Sequence, residues 1–186
     1  MLPLDPRLKL KQSHLLGISG GRDSVALLHS LLDAGCRSVT LCHLNHQLRG
    51  LFSADDAAFV RDLAEKHDLP FEIARTNVQR LANEQNLSLE TAARQARHTF
   101  FAECAKRRKC TRLLLAHHGD DNAETILFNL LRGSAGLKGM RFSSELRIER
   151  RKLTLLRPLL AVRRSEIDAY LAAHAINYRD DASNLE

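Results

Sequence analysis

Short apolar runs alternate with segments of helical periodicity along almost the whole chain. The runs occupy residues 14–18, 39–43, 71–74 and 112–117. Between them, apolar side chains return every three or four positions, which is the spacing of an amphipathic helix. Strands that alternate with helices predict an α/β fold in which parallel βαβ units form an open, doubly wound, mostly parallel sheet with helices on both faces.

The predicted helices have recognisable ends. Ser53, Ser88 and Ser165 are the expected N-caps, because a serine hydroxyl accepts a hydrogen bond from a free amide of the first turn. Gly35 and Gly133 are the expected stops. Helices are predicted over residues 24–34, 53–67, 81–109 (one helix or two), 121–131 and 165–175.

The segment between the last two predicted helices departs from this alternation. Three glycines predict a loop over residues 133–140, and residues 146–160 form one or two strands or a hairpin. Pro158 confines the later strand to an edge or an end, because proline has no amide hydrogen for a strand ladder.

Composition favours one globular domain in the cytoplasm. The 186 residues, 44% of them hydrophobic and 27% charged, suffice for a substantial core. No apolar run approaches the ~20 residues that cross a bilayer, and the first 13 residues lack the apolar core of a signal peptide. We therefore expect no membrane partner.

The net charge of +6 is unevenly distributed. Residues 1–93 hold 10 basic and 11 acidic side chains, whereas residues 94–186 hold 18 basic and 11 acidic ones. The surplus in the second half is typical of a protein with a polyanion partner, but a solvated basic surface explains it equally well.

Four cysteines, at positions 36, 42, 104 and 110, are widely spaced and include no Cys-x-x-Cys pair. Zinc and iron–sulfur ligands usually come at tighter spacing, and a disulfide framework is unusual in a cytosolic protein. We therefore expect reduced, structural thiols.

Three polar clusters directly follow predicted strands. Residues 19–24 follow the first strand, residues 43–46 the second and residues 117–121 the fourth. In open parallel sheets, ligands bind outside the carboxyl ends of the strands, where the strand order reverses. We therefore expect the three clusters to converge on one site.

The first cluster has the chemistry of an anion site. Gly20 and Gly21 let the backbone approach an anion closely, while amides at the start of the next helix point at the same spot. Ser19 and Ser24 can donate to phosphate oxygens, and Asp23 fits if a divalent cation bridges it to phosphate. The alternative is a tight turn with Ser24 as a helix cap. The spacing is neither G-x-x-x-x-G-K-[ST] nor G-x-G-x-x-G.

The cluster at residues 117–124 leaves two chemical interpretations open. Its histidines and carboxylates could bind a catalytic zinc ion or a metal pair. Alternatively, the carboxylates hold magnesium on a nucleotide and the histidines contact phosphate. Asp120, Asp121 and Glu124 also lie near the start of a predicted helix, where negative charge is favourable without any further role.

The remaining polar candidates are less specific. His43 and Asn45, after the second strand, are ligands, base contacts or ordinary loop groups. Arg94 and Arg97 share one helical face and either contact phosphate or form a solvated salt-bridge ladder. Arg132, just ahead of the glycine-rich loop, has the same two interpretations.

Together these segments resemble one family. The segment SGGRDS matches the SGGxDS loop of the PP-loop ATP pyrophosphatases, which have a Rossmann-like sheet. Five further segments, in the same order, resemble the tRNA(Ile)-lysidine synthetases across nearly the whole chain. They are HLNHQLRG (43–50), ETAARQARHTFF (90–101), LLLAHHGDDNAETILFNLLRGSAGLKGM (113–140), RPLL (157–160) and RDDASN (179–184).

This resemblance implies an ATP-dependent tRNA-modifying ligase. ATP, with Mg²⁺, would adenylate the C2 oxygen of the wobble cytidine in an isoleucine tRNA with a CAU anticodon, releasing pyrophosphate. Free L-lysine would then attack C2 through its amine, AMP would leave, and the cytidine would become lysidine. The basic surplus of residues 94–186 would face the tRNA backbone. The oligomeric state stays open, with a homodimer as one option.

The same resemblance implies roles for the matching positions. Asp23 is the first candidate for a magnesium ligand, and Asp121 is a second candidate, for magnesium or for the incoming amine. Asp120, Asp121 or Glu124 would orient or deprotonate lysine. The expected ATP contacts are Ser19, Gly20, Gly21, Arg22, Asp23, Ser24, His43, Asn45 and His117, and the expected phosphate or tRNA contacts are Arg94, Arg97 and Arg132.

Two features depart from the family pattern. Gly119 stands where many relatives have alanine, in the segment HHADD. The chain also ends just after RDDASN, where family members continue with helical domains that grip the tRNA. We therefore expect residues 1–186 to be a single PP-loop catalytic domain, either the N-terminal part of a longer protein or an unusually short version of the family. In the first case it should bind ATP but select tRNA weakly.

Three other functions compete with this one. A PP-loop tRNA 2-thiolation enzyme generally uses a Cys-x-x-Cys pair or a catalytic cysteine, and none of the four cysteines lies in a predicted site cluster. A non-catalytic nucleotide-binding domain would need the loop but not the acids at residues 120–124. A zinc hydrolase would be built on His117 and His118.

Overall fold

A computed structural model of the chain describes residues 1–47, 52–133, 136–148 and 151–179, with the backbone alone for residues 52–54. Parts of four predicted segments, residues 48–50, 134–135, 149–150 and 180–184, therefore lie outside the described residues. The elements are β1 (His14–Gly17), α1 (Arg22–Asp33), β2 (Val39–Asn45), α2 (Phe52–Lys66), β3 (Phe71–Arg75), α3 (Val78–Gln85), α4 (Leu89–Arg108), β4 (Arg112–Leu114), α5 (Gly119–Leu131), β5 (Ser143–Ile148), β6 (Arg151–Leu156) and α6 (Arg164–Ala173).

The described strands form one six-stranded sheet in the order β3-β2-β1-β4-β6-β5. Its pairings are parallel except for that of β5 with β6, which confirms the predicted doubly wound, mostly parallel α/β fold. The chain runs from β1 outward to β3 and then returns to place β4 on the other side of β1. The strand order therefore reverses between β1 and β4, where ligands bind in open α/β sheets.

Helices cover both faces of the sheet, and successive β1 residues point to opposite faces. Leu16 packs in a buried cluster with residues of α1, α2 and α6, whereas Leu15 packs in a second cluster with residues of α3 and α4. Both leucines are fully buried, so replacing either with alanine would cost about 2–5 kcal/mol. A strand buried on both faces explains why the sequence shows an apolar run here instead of alternation.

Residues 81–109 fall in two helices, α3 and α4. Of the predicted N-caps Ser88 and Ser165, only Ser88 is correct. Ser88 is the N-cap of α4 and accepts a hydrogen bond from the Thr91 amide (3.2 Å). The predicted Ser165 cap of α6 is wrong, because the helix begins at Arg164 with Arg163 as its N-cap. The Arg163 amide donates to the Glu166 carboxylate (2.8 Å), which satisfies the amide of the N-cap residue.

The helix α2 begins at Phe52, one residue before its predicted cap. Strand β4 ends at Leu114, three residues earlier than predicted. The Leu115 amide still donates to the Leu156 carbonyl of β6 (2.9 Å), and the His118 amide donates to the Asp121 carboxylate (2.8 Å) at the start of α5.

The last two strands form a hairpin, one of the alternatives that the sequence left open. Strand β6 pairs with β4 on one side and β5 on the other, so it is an interior strand. Pro158 follows the end of this strand, which is the second of its two predicted placements.

Helix α5 differs from the other helices because none of its residues is buried. Leu127 and Phe128 are more than half exposed, and Leu131 is 87% exposed. The loop after the helix packs back on it, with the Met140 amide donating to Asn122 Oδ1 (2.6 Å). None of the described helices has both the length and the hydropathy to cross a membrane.

Candidate active site

Serine hydroxyls tie the loop after β1 to itself. Ser24 Oγ donates to the Gly21 carbonyl (2.9 Å) and lies 3.2 Å from Ser19 Oγ, which accepts from the Gly21 amide (3.1 Å). The N-cap of α1 is Gly21, so Ser24 lies inside the first turn and is not the cap. The loop geometry is therefore set by hydrogen bonds of the chain, and the start of α1 faces the space beyond the sheet edge.

A distant segment holds the same loop from outside. Gly20, which has a φ of +95°, accepts a hydrogen bond from the Arg179 amide (3.0 Å), and Arg179 also forms a parallel bridge with Gly21. The Arg179 side chain donates to Asp56 of α2 (3.1 Å). Arg179 belongs to the segment RDDASN, and its sequence position predicted no role for it or for Asp56. No local pattern could have shown this pairing.

The end of β2 forms a second wall. His43 is buried, and its Nδ1 donates to the Ile18 carbonyl of the loop (2.9 Å). Asn45 Oδ1 accepts from the Gln47 amide (2.9 Å). Burial lowers the pKa of His46 to about 4, with Arg97 adding to the effect, so this imidazole is neutral at pH 7.

The four predicted catalytic acids occupy different surroundings. Asp23 and Asp121 line the cavity at the sheet edge. Asp120 turns away and accepts from the Arg164 amide (2.7 Å), which ties the start of α5 to the start of α6. Glu124 is exposed and does not line the cavity.

Asp23 and Asp121 form a crowded pair of carboxylates. Burial raises the pKa of Asp23, Asp121 raises it further, and His118 and Arg22 act in the opposite direction. Asp23 Oδ1 is buried without a hydrogen-bond partner among the described residues. A divalent cation would relieve both the repulsion and the unpaired oxygen, and magnesium is commonly held by one or two carboxylates together with phosphates.

The predicted arginines are also placed differently. Arg97 of α4 lines the cavity, and burial lowers its pKa, with a further contribution from Arg94. Arg94 lies outside the cavity wall, and Arg132 lies over the Phe128 ring, 4.0 Å from its centroid. Arg22 borders the cavity but donates to Asp168 of α6 (2.9 Å).

The three polar clusters surround one cavity of about 580 Å³, a size typical of small-ligand sites. The structure thus brings together side chains that the sequence predicted to meet. The predicted residues that line the cavity are Ser19, Gly21, Arg22, Asp23, Ser24, His43, Asn45, Arg97, His117 and Asp121; those that do not are Gly20, Arg94, Asp120, Glu124 and Arg132.

Part of the cavity lining is apolar, which the polar clusters did not predict. A Cβ atom on Gly17 would lie 2.8 Å from Phe101 Cζ and 3.0 Å from Leu115 Cδ2, so glycine is what lets both side chains cross the end of β1. A glycine at the end of an apolar strand was the available signal.

Cys42 belongs to none of the predicted site clusters, but it directly precedes the second one and lines the cavity wall. All four cysteines are buried and unpaired. A hydrogen bond with Cys104 and burial both raise the pKa of the Cys42 thiol, which disfavours a reactive thiolate. Within the described ranges, no three His, Cys, Asp or Glu side chains are grouped to hold a metal ion, so a zinc hydrolase has no ligand set there.

Comparison with known proteins agrees with this geometry. A family model described as a PP-loop domain matches residues 4–186. The chain is 42% identical over 172 residues to a tRNA(Ile)-lysidine synthase of Porphyromonas gingivalis, covering 91% of this chain and 36% of that protein. It is 41% identical over 174 residues to the synthase of Geobacter sulfurreducens, again covering 36% of it. The chain thus spans about a third of the length of these curated relatives.

Solved structures share the fold at low sequence identity. The U34-tRNA thiolase NcsA of Methanococcus maripaludis matches with a TM-score of 0.73 and 17% identity, over 96% of this chain and 62% of that one. The NH3-dependent NAD synthetase of Campylobacter jejuni matches with a TM-score of 0.56 and 18% identity, over 91% and 66% of the two chains. By its family match, its loop and its sheet, the chain belongs to the PP-loop domain family, within which it is similar to the tRNA(Ile)-lysidine synthases.

Proposed function

We propose that residues 1–186 carry the ATP-dependent catalytic centre of a tRNA(Ile)-lysidine synthase. In this reaction, the wobble cytidine of an isoleucine tRNA with a CAU anticodon is adenylated at its C2 oxygen, and free L-lysine then displaces AMP. The observation that carries the proposal is the convergence of the loop at residues 19–24 and Asp121 on one cavity. The similarity to curated synthases supports it.

The loop is suited to the phosphate end of ATP. Amides at the start of α1 and the positive end of its dipole face the space where a polyphosphate would lie. Asp23 and Asp121 would hold Mg²⁺, which when bound neutralises charge on the leaving pyrophosphate. The hydroxyls of Ser19 and Ser24 keep the loop in shape and would be available to the phosphates.

Asp121 is the acid best placed to receive the lysine amine. The ammonium group must lose a proton before its nitrogen can attack, which requires a base within the cavity. Asp120 is bonded to the Arg164 amide and Glu124 is exposed. We therefore assign two roles to Asp121, a share of the Mg²⁺ and the orientation of the lysine amine, and we assign the phosphate side of the cavity to Asp23.

The RNA would approach the face that carries α4. Arg97 and His117 line the cavity on that side, and burial lowers the pKa of His117, so this imidazole is neutral at pH 7. Arg94 lies nearby on α4 and is exposed, which suits a contact to the RNA backbone. The basic surplus of residues 94–186 supports the same partner, and Arg132 belongs to that surplus.

The decisive experiment measures pyrophosphate release from ATP by this chain. We expect release that requires Mg²⁺, the CAU-anticodon isoleucine tRNA and lysine, with lysidine in the product. The Cys42→Ala variant should release pyrophosphate at the wild-type rate. If the enzyme instead used this cysteine for thiolation, the variant would be inactive. Pyrophosphate release that requires neither tRNA nor lysine would overturn the proposal. A zinc-dependent hydrolase activity in the absence of ATP would overturn it as well.

A further inference from the structure

His118 is a fully buried side chain to which the proposed reaction assigns no role. Its exposed fraction is 0%, and neither ring nitrogen has a hydrogen-bond partner among the described residues. Leaving a buried polar group unpaired costs about 1–3 kcal/mol. The residues that surround His118 should therefore explain why an unpaired imidazole is tolerated there.

Three carboxylates surround the ring. His118 Nε2 lies 3.8 Å from Asp23 Oδ1 and 3.7 Å from Asp121 Oδ2, and Nδ1 lies 3.6 Å from Asp120 Oδ2. Each distance is a few tenths of an ångström beyond a good hydrogen bond. The imidazole therefore stands between the two acids of the cavity and the acid that joins α5 to α6.

The two Nε2 distances are nearly equal, although the acids belong to different elements. Asp23 comes from the first turn of α1 and Asp121 from the first turn of α5. Asp121 Oδ2 already accepts from the His118 amide (2.8 Å), whereas Asp23 Oδ1 is buried and has no hydrogen-bond partner in the described part of the chain. A small movement of either side chain gives the ring N–H one carboxylate partner and leaves the other carboxylate free.

We propose that His118 is a positioning residue that spaces Asp23 and Asp121 for a divalent cation by donating from Nε2 to one carboxylate. This inference rests on the proposed function, because that function supplies the Mg-ATP. His118 itself does not touch the cation; it keeps two like charges side by side where the cation needs both. Partners of metal ligands typically change metal affinity 10–100-fold when they are removed.

His14 offers a matched control. It is also a buried histidine with both ring nitrogens unpaired among the described residues, but it lies at the opposite end of β1. Burial lowers its pKa, and the charged neighbour that acts on it is Arg112. Loss of a buried imidazole as such can therefore be separated from loss of one that faces the carboxylates.

The test is calorimetry of ATP binding to the 186-residue chain over a series of Mg²⁺ concentrations and in EDTA. His118→Met removes the donor at similar volume, and we expect its Mg²⁺ midpoint to rise 10–100-fold with ATP affinity in EDTA unchanged. His118→Gln keeps an N–H donor and should stay within about threefold of wild type. His14→Gln should lower the melting temperature without moving the midpoint.

Two results would overturn this role. If the His118→Met variant folds and keeps the wild-type Mg²⁺ midpoint, the spacing of Asp23 and Asp121 does not need the Nε2–H donor. Equal shifts in the Met and Gln variants show that the side chain acts by packing alone. If His118→Met does not fold, His118→Ala takes its place in the comparison. A wild-type chain that binds no ATP at any Mg²⁺ concentration overturns the proposed function and this inference with it.

Discussion

The two strand ends that frame the cavity differ in how their polar groups are satisfied. In the loop after β1, Ser19, Gly21 and Ser24 bond to one another, and the following helix is largely buried. In the turn after β4, neither nitrogen of the His118 ring has a hydrogen-bond partner among the described residues, and the following helix has no buried residue. The loop after β1 is therefore shaped by its own hydrogen bonds, apart from Asp23 Oδ1, whereas the turn after β4 carries an imidazole whose polar atoms the described chain does not satisfy.

The difference separates two ways in which a mutation can act. In the loop after β1, a lost hydrogen bond should lower stability and binding together. In the turn after β4, a substitution that keeps the hydrogen bond between Asp121 and the His118 amide should alter binding with little cost in stability. The predictions below test this separation, from the largest expected effect to the smallest.

Asp121→Asn should cause the largest loss of activity. The amide oxygen can still accept from the His118 amide, so the start of α5 is kept, but the charge for the cation or amine is gone. We expect turnover in the pyrophosphate assay to fall on the order of 100-fold or more, with a melting temperature within a few degrees of wild type. Glu124→Gln, on the same helix but outside the cavity, is the control and should change turnover little. Similar losses in both variants would contradict the assignment.

Asp23→Asn should abolish Mg²⁺-dependent ATP binding yet stabilise the ligand-free protein at pH 7. Burial raises the pKa of Asp23 above its unfolded value, so the folded state holds the proton more tightly. Stability therefore falls as pH rises from about 3.8 through the folded pKa, and asparagine removes this loss. Melting curves between pH 4 and 8 should show a gain that is largest at neutral pH and shrinks toward pH 4. A variant that melts below wild type at pH 7 would count against a desolvated Asp23.

Ser24→Ala should lower stability and ATP affinity together. It removes the bond to the Gly21 carbonyl and the contact with Ser19, at a cost of about 1–2 kcal/mol. For a domain of this size, that corresponds to roughly 2–8 °C in melting temperature. Ser30→Ala is matched, because Ser30 Oγ donates to the Ala26 carbonyl (2.8 Å) in the same helix. It should lower stability and leave ATP binding intact, and a loss of binding there would weaken the comparison.

His46→Gln should have the smallest effect, visible only in acid. The pKa of His46 is about 4, below its unfolded value of 6.5, because burial disfavours the charged ring. The unfolded chain therefore takes up a proton that the folded chain refuses, and stability falls as pH drops from 6.5 toward 4. The variant should flatten this slope in urea unfolding measured at several pH values. A slope identical to wild type would show that His46 is not desolvated.

The fold was largely predictable because its signals are local. The apolar runs that became β2 and β3 ended within two residues of the observed strands, and Ser88 caps α4 as expected. The failures occurred where tertiary contacts decide. Arg163 is the N-cap of α6 and its amide donates to the Glu166 carboxylate, and β4 ends three residues before the predicted end.

The site, like the fold, was predictable except where contacts between distant segments decide the structure. Strand order and polar clusters were enough to bring Ser19, His43 and Asp121 around one cavity. The sequence could not show that the Asp120 carboxylate accepts a hydrogen bond from the Arg164 amide of α6, because only folding brings these two positions together. The roles of these side chains in catalysis stay predictions that the experiments above test.

The bridge between Gly21 and Arg179 joins positions near opposite ends of the described chain. Contacts of such long sequence separation form late, because the intervening chain must be ordered first. The loop would therefore reach its working shape only after α6 has docked. During synthesis, a ribosome-bound fragment with the complete SGGRDS segment but without residues 164–179 would not yet grip a nucleotide.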